Sequence, residues 1–181
     1  TLSPSSAASD VYKRQPVGKR LISESAGTVK HVSMELGGHA PFIICEDGDI
    51  DFAVMQALAS KFRNAGQTCV CANRFIVHTS VLAEFSEKFA AAARALKLGN
   101  GLDAGTDVGP LINQKGFDKV IEQIEDAKAK GALVLAGGNG VADYEKKTFF
   151  IEPTVLGNIS LDMKIMSCLL YTSPSPRDRS L

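Results

Sequence analysis

Four short apolar runs, spaced between segments of helical periodicity, constrain this chain more than any other feature. "APFIIC" (40–45), "RFIVH" (74–78), "ALVLAGG" (132–138) and "TFFIEPTVL" (148–156) have the length and composition of strands. Between them, residues 50–64 are apolar almost all round, which predicts a buried helix with Asp49 as its N-cap. Leu82, Phe85, Phe89, Ala92 and Leu96 recur at helical spacing behind a candidate cap, Ser80. Phe117, Val120, Ile121, Ile124 and Ala127 do the same between Asn113, which opens the helix, and Gly131, which ends it. Upstream, residues 16–30 read as a helix ended by Gly27, and "HVSMEL" (31–36) as a short strand stopped by Gly37-Gly38. The continuous run 40–45 suits a strand buried on both faces. Pro153 marks its own run as an edge or a bulge, and the glycines of "AGGNG" mark a turn. Alternation of this kind predicts an α/β fold around a mostly parallel sheet with flanking helices.

Charge and composition remove several classes of function. The 181 residues carry 20 basic and 20 acidic side chains with no basic stripe, which argues against a nucleic-acid partner. No apolar run approaches the roughly 18–20 residues of a membrane span. Four scattered cysteines do not form a secreted disulfide framework, and no secretory signal is visible, so a cytoplasmic location is expected.

The two ends read as foreign. "DVYKRQ" can be written gat gtg tat aag aga cag, and the reverse complement, read one frame over, gives Cys-Leu-Leu-Tyr-Thr-Ser, the residues 168–173. Both flanks resemble translated transposon adapters, so residues 1–15 and 168–181 are expected to be adapter-like and disordered.

"KFRNAGQTCVCANR" (61–74) holds the most reactive candidate, Cys69. A cysteine in an intracellular chain is often inert filler. This one follows a helix end, in a loop where Gly66 allows close backbone approach, which also suits a nucleophile. Cys71 either closes a strained, easily reduced disulfide with Cys69 or points to the other side of the loop. Glu35, where a strand meets two glycines, is either a solvated carboxylate or a base whose pKa burial raises. Arg63 either pairs with an acidic side chain or offers its fork to a substrate carboxylate. Lys19 lacks the glycine and hydroxyl residues of a phosphate loop. No metal site is expected, since His31, His39 and His78 lack ligand spacing and no Cys-x-x-Cys occurs.

Together, "MELGGHAPFII" and "FRNAGQTCVCANR", with Glu35 and Cys69 34 residues apart, resemble the two active-site signatures of the aldehyde dehydrogenase superfamily. The likeness runs over residues 16–167 and includes "LKLGNGLDAGTDVGPLI" and "FFIEPTVL". Within the superfamily, the cysteine signature is most similar to that of succinate-semialdehyde dehydrogenases. The resemblance implies a fragment: residues 16–34 as the last helix and strand of a Rossmann-like cofactor domain, and 35–167 as the N-terminal portion of the catalytic domain. It makes Cys69 the nucleophile, Glu35 the base that activates water, and Arg63 the holder of the substrate's far carboxylate. Val17, Gly18, Leu36 and Gly37 would lie near the cofactor, NADP or NAD, and Cys71 would be a redox partner of Cys69. The implied substrate is a small carboxylate-bearing aldehyde, succinate semialdehyde first, with glutarate or 2-oxoglutarate semialdehyde as alternatives. The parent enzyme would be a homo-oligomer, dimer or tetramer, and the fragment itself inactive. His39 departs from the Asn or Lys usual after "ELGG". A coenzyme-A-acylating relative is disfavoured by the presence of Glu35. From a different class, a non-catalytic α/β module with a redox-sensing cysteine pair would keep the fold and lose the chemistry.

Overall fold

The computed structural model describes residues 15–34 and 40–167, with side chains over 18–34 and 40–166. Helix α1 (Gln15–Ala26) leads, followed by β1 (Ala40–Ile44), α2 (Ile50–Phe62), β2 (Ala72–Val77) and α3 (Leu82–Ala95). Then come α4 (Gln114–Ala129), β3 (Leu133–Ala136), β4 (Gly140–Asp143), β5 (Thr148–Ile151), β6 (Val155–Gly157) and a 3-10 turn, Lys164–Ser167.

The β1–α2–β2 unit forms the centre of the molecule. The two strands pair in parallel, Phe42 opposite Phe75 and Ile44 opposite Val77, which a helical crossover makes possible. Asp49 begins that crossover as expected, its carboxylate accepting the Phe52 N–H at 3.0 Å. Helices α2 and α3 then cover one face of the pair with an aromatic cluster. Phe75 and Phe89 lie 4.9 Å apart between ring centres, Phe85 and Phe89 5.4 Å, and Phe62 and Phe89 6.2 Å. Each buried ring contributes on the order of 2–3 kcal/mol of transfer free energy. Lys88 ties the same helices at the surface, bonding Asp51 at 2.7 Å and Glu84 at 2.8 Å.

Farther along, Asn113 caps α4 through the Gly116 N–H at 2.9 Å, and Gly131 closes it at φ +91. The 3-10 turn docks on α4 through the Lys164 N–H. That bond to Asp126, at 2.7 Å, holds the carboxyl below the usual carboxylate range, helped by Lys130 at 3.1 Å.

Several expectations are corrected. The α/β class stands, but of the strand pairs among the described residues only β1–β2 is parallel; β3–β6 and β4–β5 are antiparallel. The reason is local: β4 and β5 are joined by a tight connection over 144–147, which only an antiparallel pair can use. Strand β4 itself was not foreseen. "TFFIEPTVL" splits at Glu152–Thr154, because Pro153 cannot donate to a ladder, and its halves pair with different partners. β1 is not buried on both faces: Ile43 is 65% exposed, since α2 and α3 cover only the opposite face. For the same reason α2 is half-buried, with Phe52 and Met55 outward. Residues 31–34 form no strand, having no neighbour to pair with among the described residues, while Leu36 lies outside them. Ser80 does not cap α3. Val81 takes that position, and the Ser80 hydroxyl bonds His78 Nδ1 at 2.7 Å instead.

The "AGGNG" turn does form, with Gly137 at φ +64 and Gly138 at φ +100. A Cβ on Gly137 would overlap the Pro153 carbonyl oxygen and sit 2.9 Å from Thr154 Oγ1. Gly137→Ala is therefore expected to cost about 2–4 kcal/mol, combining left-handed strain with a backbone clash. Urea denaturation checks this, and a change under about 0.5 kcal/mol would show that the turn adapts freely.

Candidate active site

The cysteine loop begins where α2 stops. Arg63 leaves helical geometry at ψ 129, and the next three residues are left-handed: Asn64 at φ 52, Ala65 at φ 54 and Gly66 at φ 74. The helix therefore ends two residues earlier than the apolar pattern suggested. For Asn64 and Ala65 this conformation costs on the order of 1–2 kcal/mol each, so surrounding bonds must hold it. Gly66 has a further reason to lack a side chain, since a Cβ there would come within 3.3 Å of the Lys61 carbonyl oxygen.

Those bonds are present. Gln67 donates its backbone N–H to the Asn64 carbonyl at 3.0 Å and its side-chain amide to the same oxygen at 3.2 Å. Its Oε1 accepts the Ile112 N–H at 3.0 Å, from a segment 45 residues away. Next, the Cys71 N–H donates to the Thr68 carbonyl at 3.4 Å, closing a turn in which Cys69 is the first corner residue. Cys71 is fully buried, with its sulfur 2.6 Å from Thr68 Oγ1 and 3.9 Å from the Arg63 carbonyl. Cys69 is half-buried, and both thiols are free. Among the described residues no group accepts the Cys69 backbone N–H.

Register decides what can meet this loop. Ala40 is opposite Ala72, so β1 and β2 start at one edge of the sheet, and neighbouring strands run about 4.8 Å apart. Cys69 precedes Ala72 by three residues and Glu35 precedes Ala40 by five. Chain length alone tethers residues at those distances within about 10 and 17 Å of the edge. Glu35, Leu36 and Gly37 themselves lie outside the described residues, as does the Val17 side chain. The described structure brings Arg63, Cys69 and Cys71 into one loop; Gly18 is buried in α1. The Arg63 side chain is exposed, without a hydrogen-bond partner among the described residues.

For a dinucleotide, α1 offers a first turn with no acidic residue and a buried glycine, Gly18, features compatible with an anionic pyrophosphate. No group of three or more His, Cys, Asp or Glu among the described residues could hold a metal ion. None of their helices is long and apolar enough to cross a membrane.

Gln67 and Thr68 were not singled out from the sequence. The usable signal was "NAG": Asn and Gly both tolerate left-handed geometry, and two of them around one residue mark a reversal needing support.

The family model described as "Aldehyde dehydrogenase family" matches residues 14–168. A 3-sulfolactaldehyde dehydrogenase of Pseudomonas putida is 54% identical over 150 residues, which is 83% of this chain and 30% of that protein. An NADP-dependent succinate-semialdehyde dehydrogenase of Escherichia coli strain K12 is 48% identical over 149 residues, 82% of this chain and 30% of the relative. Among solved structures, succinate-semialdehyde dehydrogenase from Burkholderia pseudomallei superposes with a TM-score of 0.76 at 48% identity, covering 84% of this chain and 31% of that one. The chain spans about 30% of the length of the curated relatives it matches.

Proposed function

This chain belongs to the aldehyde dehydrogenase family, and on that premise we propose that it is a portion of an NAD(P)-dependent enzyme oxidising a short aldehyde with an anionic far end. The observation that carries the reading is the parallel register of β1 and β2, which starts both signature segments at one edge. Residues 16–34 close the cofactor domain and 35–167 open the catalytic domain. The 181-residue chain alone is inactive, in keeping with the share of its relatives that it spans. The full-length enzyme is a cytoplasmic homo-oligomer, a dimer or tetramer. Its thiols at Cys45, Cys69 and Cys71 suit a reducing compartment.

In the proposed reaction the Cys69 thiolate attacks the aldehyde carbon, and the new C–S bond places the oxyanion against the Cys69 N–H. Val17, Gly18, Leu36 and Gly37 would hold NADP or NAD, which would supply the hydride acceptor needed between thiohemiacetal and thioester. Glu35 then takes a proton from water as its oxygen adds to the thioester carbonyl. The C–S bond breaks, the acid leaves and Cys69 regains its thiolate.

Succinate semialdehyde is the first substrate proposed, supported by the E. coli and B. pseudomallei relatives and by the unpartnered fork of Arg63. A second reading, a sulfonate-bearing aldehyde, follows from the P. putida relative, since a guanidinium binds sulfonate and carboxylate alike. Glutarate and 2-oxoglutarate semialdehydes remain further candidates for the same fork. The test is reduction of NAD and NADP by the full-length enzyme with these aldehydes. Arg63→Ala is expected to raise KM for the preferred anionic aldehyde by roughly 30- to 100-fold, as loss of a charge-assisted pair costs about 2–3 kcal/mol. KM for a neutral aldehyde of equal length should hardly move. Equal effects on both aldehydes would remove Arg63 from substrate binding, and no cofactor reduction with any of them would overturn the function.

A further inference from the structure

We infer that Gln67 is the positioning residue of this site, setting where Cys69 stands relative to the rest of the catalytic domain. This rests on Cys69 being the nucleophile, as proposed above. Both polar ends of the Gln67 side chain are committed, and each to something the loop needs. Its amide donor, together with its own backbone N–H, converges on the Asn64 carbonyl, within the left-handed reversal at Asn64–Gly66. Its amide oxygen accepts the Ile112 N–H. Ile112 is itself anchored, because the adjacent Leu111 N–H donates to the Phe149 carbonyl at 2.7 Å in β5. One side chain therefore locks the reversal that precedes Cys69 and ties it to the strand system built from β4 and β5.

From the other side, Cys71 and Thr68 close the turn internally. That contact shapes the loop without registering it against distant chain. Registration comes through Gln67, two residues before the nucleophile, and no other hydrogen bond among the described residues joins loop 63–71 to 107–112. Reactivity at a thiolate depends on atoms held to within a fraction of an ångström, so a reach of this kind acts on rate more than on affinity.

The role asks for a donor and an acceptor at fixed spacing, which a protonated carboxyl reproduces and a carboxylate does not. The experiment compares full-length wild type, Gln67→Ala, Gln67→Met and Gln67→Glu. One readout is iodoacetamide alkylation of Cys69, located by peptide mass; the other is steady-state kinetics. For Ala and Met, we expect alkylation slowed about 5-fold or more and kcat lowered by roughly 10- to 100-fold, with KM within about 3-fold. Gln67→Glu should resemble them at pH 8. Its alkylation rate relative to wild type at the same pH should then recover as pH falls through the carboxyl's pKa, when the O–H again donates to Asn64. A loop that Gln67 merely stabilises would not show that recovery. Wild-type alkylation and kcat in Gln67→Ala and Gln67→Met overturn the inference, as does a pH-independent ratio in Gln67→Glu if the other two fail to fold. Should the wild type oxidise no aldehyde while alkylation still follows the variants, the proposed reaction fails and the positioning role survives.

Discussion

Cys69→Ala in the full-length enzyme is expected to lower kcat by about 10⁴-fold or more, because in the proposed reaction this residue supplies the bond through which the reaction runs. No neighbouring group can take its place. Cys71 is two residues away but fully buried, its sulfur against Thr68 Oγ1, so it cannot reach a substrate from inside the turn. The paired control follows from that burial: Cys71→Ala should keep activity within about 10-fold of wild type, losing only a contact within the loop. Progress curves of cofactor reduction measure both. If Cys69→Ala retained more than about 1% of wild-type kcat, or if Cys71→Ala were the dead variant, the nucleophile would have been assigned to the wrong sulfur.

A second large effect is expected at Glu35, with a different kinetic shape. Without a base, thioester formation should continue and hydrolysis should stall. Glu35→Gln is therefore expected to give a burst of reduced cofactor, close to one per site, followed by turnover slowed by about 10²- to 10³-fold. Intact mass measurement during the slow phase should find the acyl group on Cys69. An added small thiol should speed the slow phase by taking the acyl group, since it brings its own nucleophile. Slowing of the burst itself by the same factor would place Glu35 in thiol activation instead. Unchanged turnover would remove it from the reaction.

How legible this was differed from residue to residue. Asp49 and Asn113 announced their helices because capping depends on a side chain reaching two or three residues along its own chain. Ser80 looked identical in that local sense and failed, because its hydroxyl is taken up by a competing partner, His78 Nδ1, just past the end of β2. The parallel pairing of β1 and β2 followed from alternation of strand and helix, but the antiparallel hairpin of β4 and β5 did not. "GVAD" carries too little apolar content to read as a strand until "TFFI" pairs with it. The chemistry proposed at Cys69 rests on its motif. Its support was not legible, since the Gln67–Ile112 bond joins residues 45 apart and leaves no local trace. Burial on both faces of β1 was over-read from composition, which says how apolar a strand is and not how many layers cover it.

The shared starting edge of β1 and β2 also decides where this protein can grow. Everything between Ile44 and Ala72 is crossover, and its beginning, the turn at Glu46–Gly48, is exposed and remote from that edge. Extra residues there lengthen a loop whose ends β1 and α2 already hold in place, at a cost that rises only slowly with length. The stretch 69–71 has no such freedom, because one added residue there would shift Cys69 against the start of β2 by about 3.5 Å. Relatives of this chain should therefore carry insertions at the far turn and none in 69–71, and a reporter peptide spliced into 46–48 should leave the activity proposed for the full-length protein running.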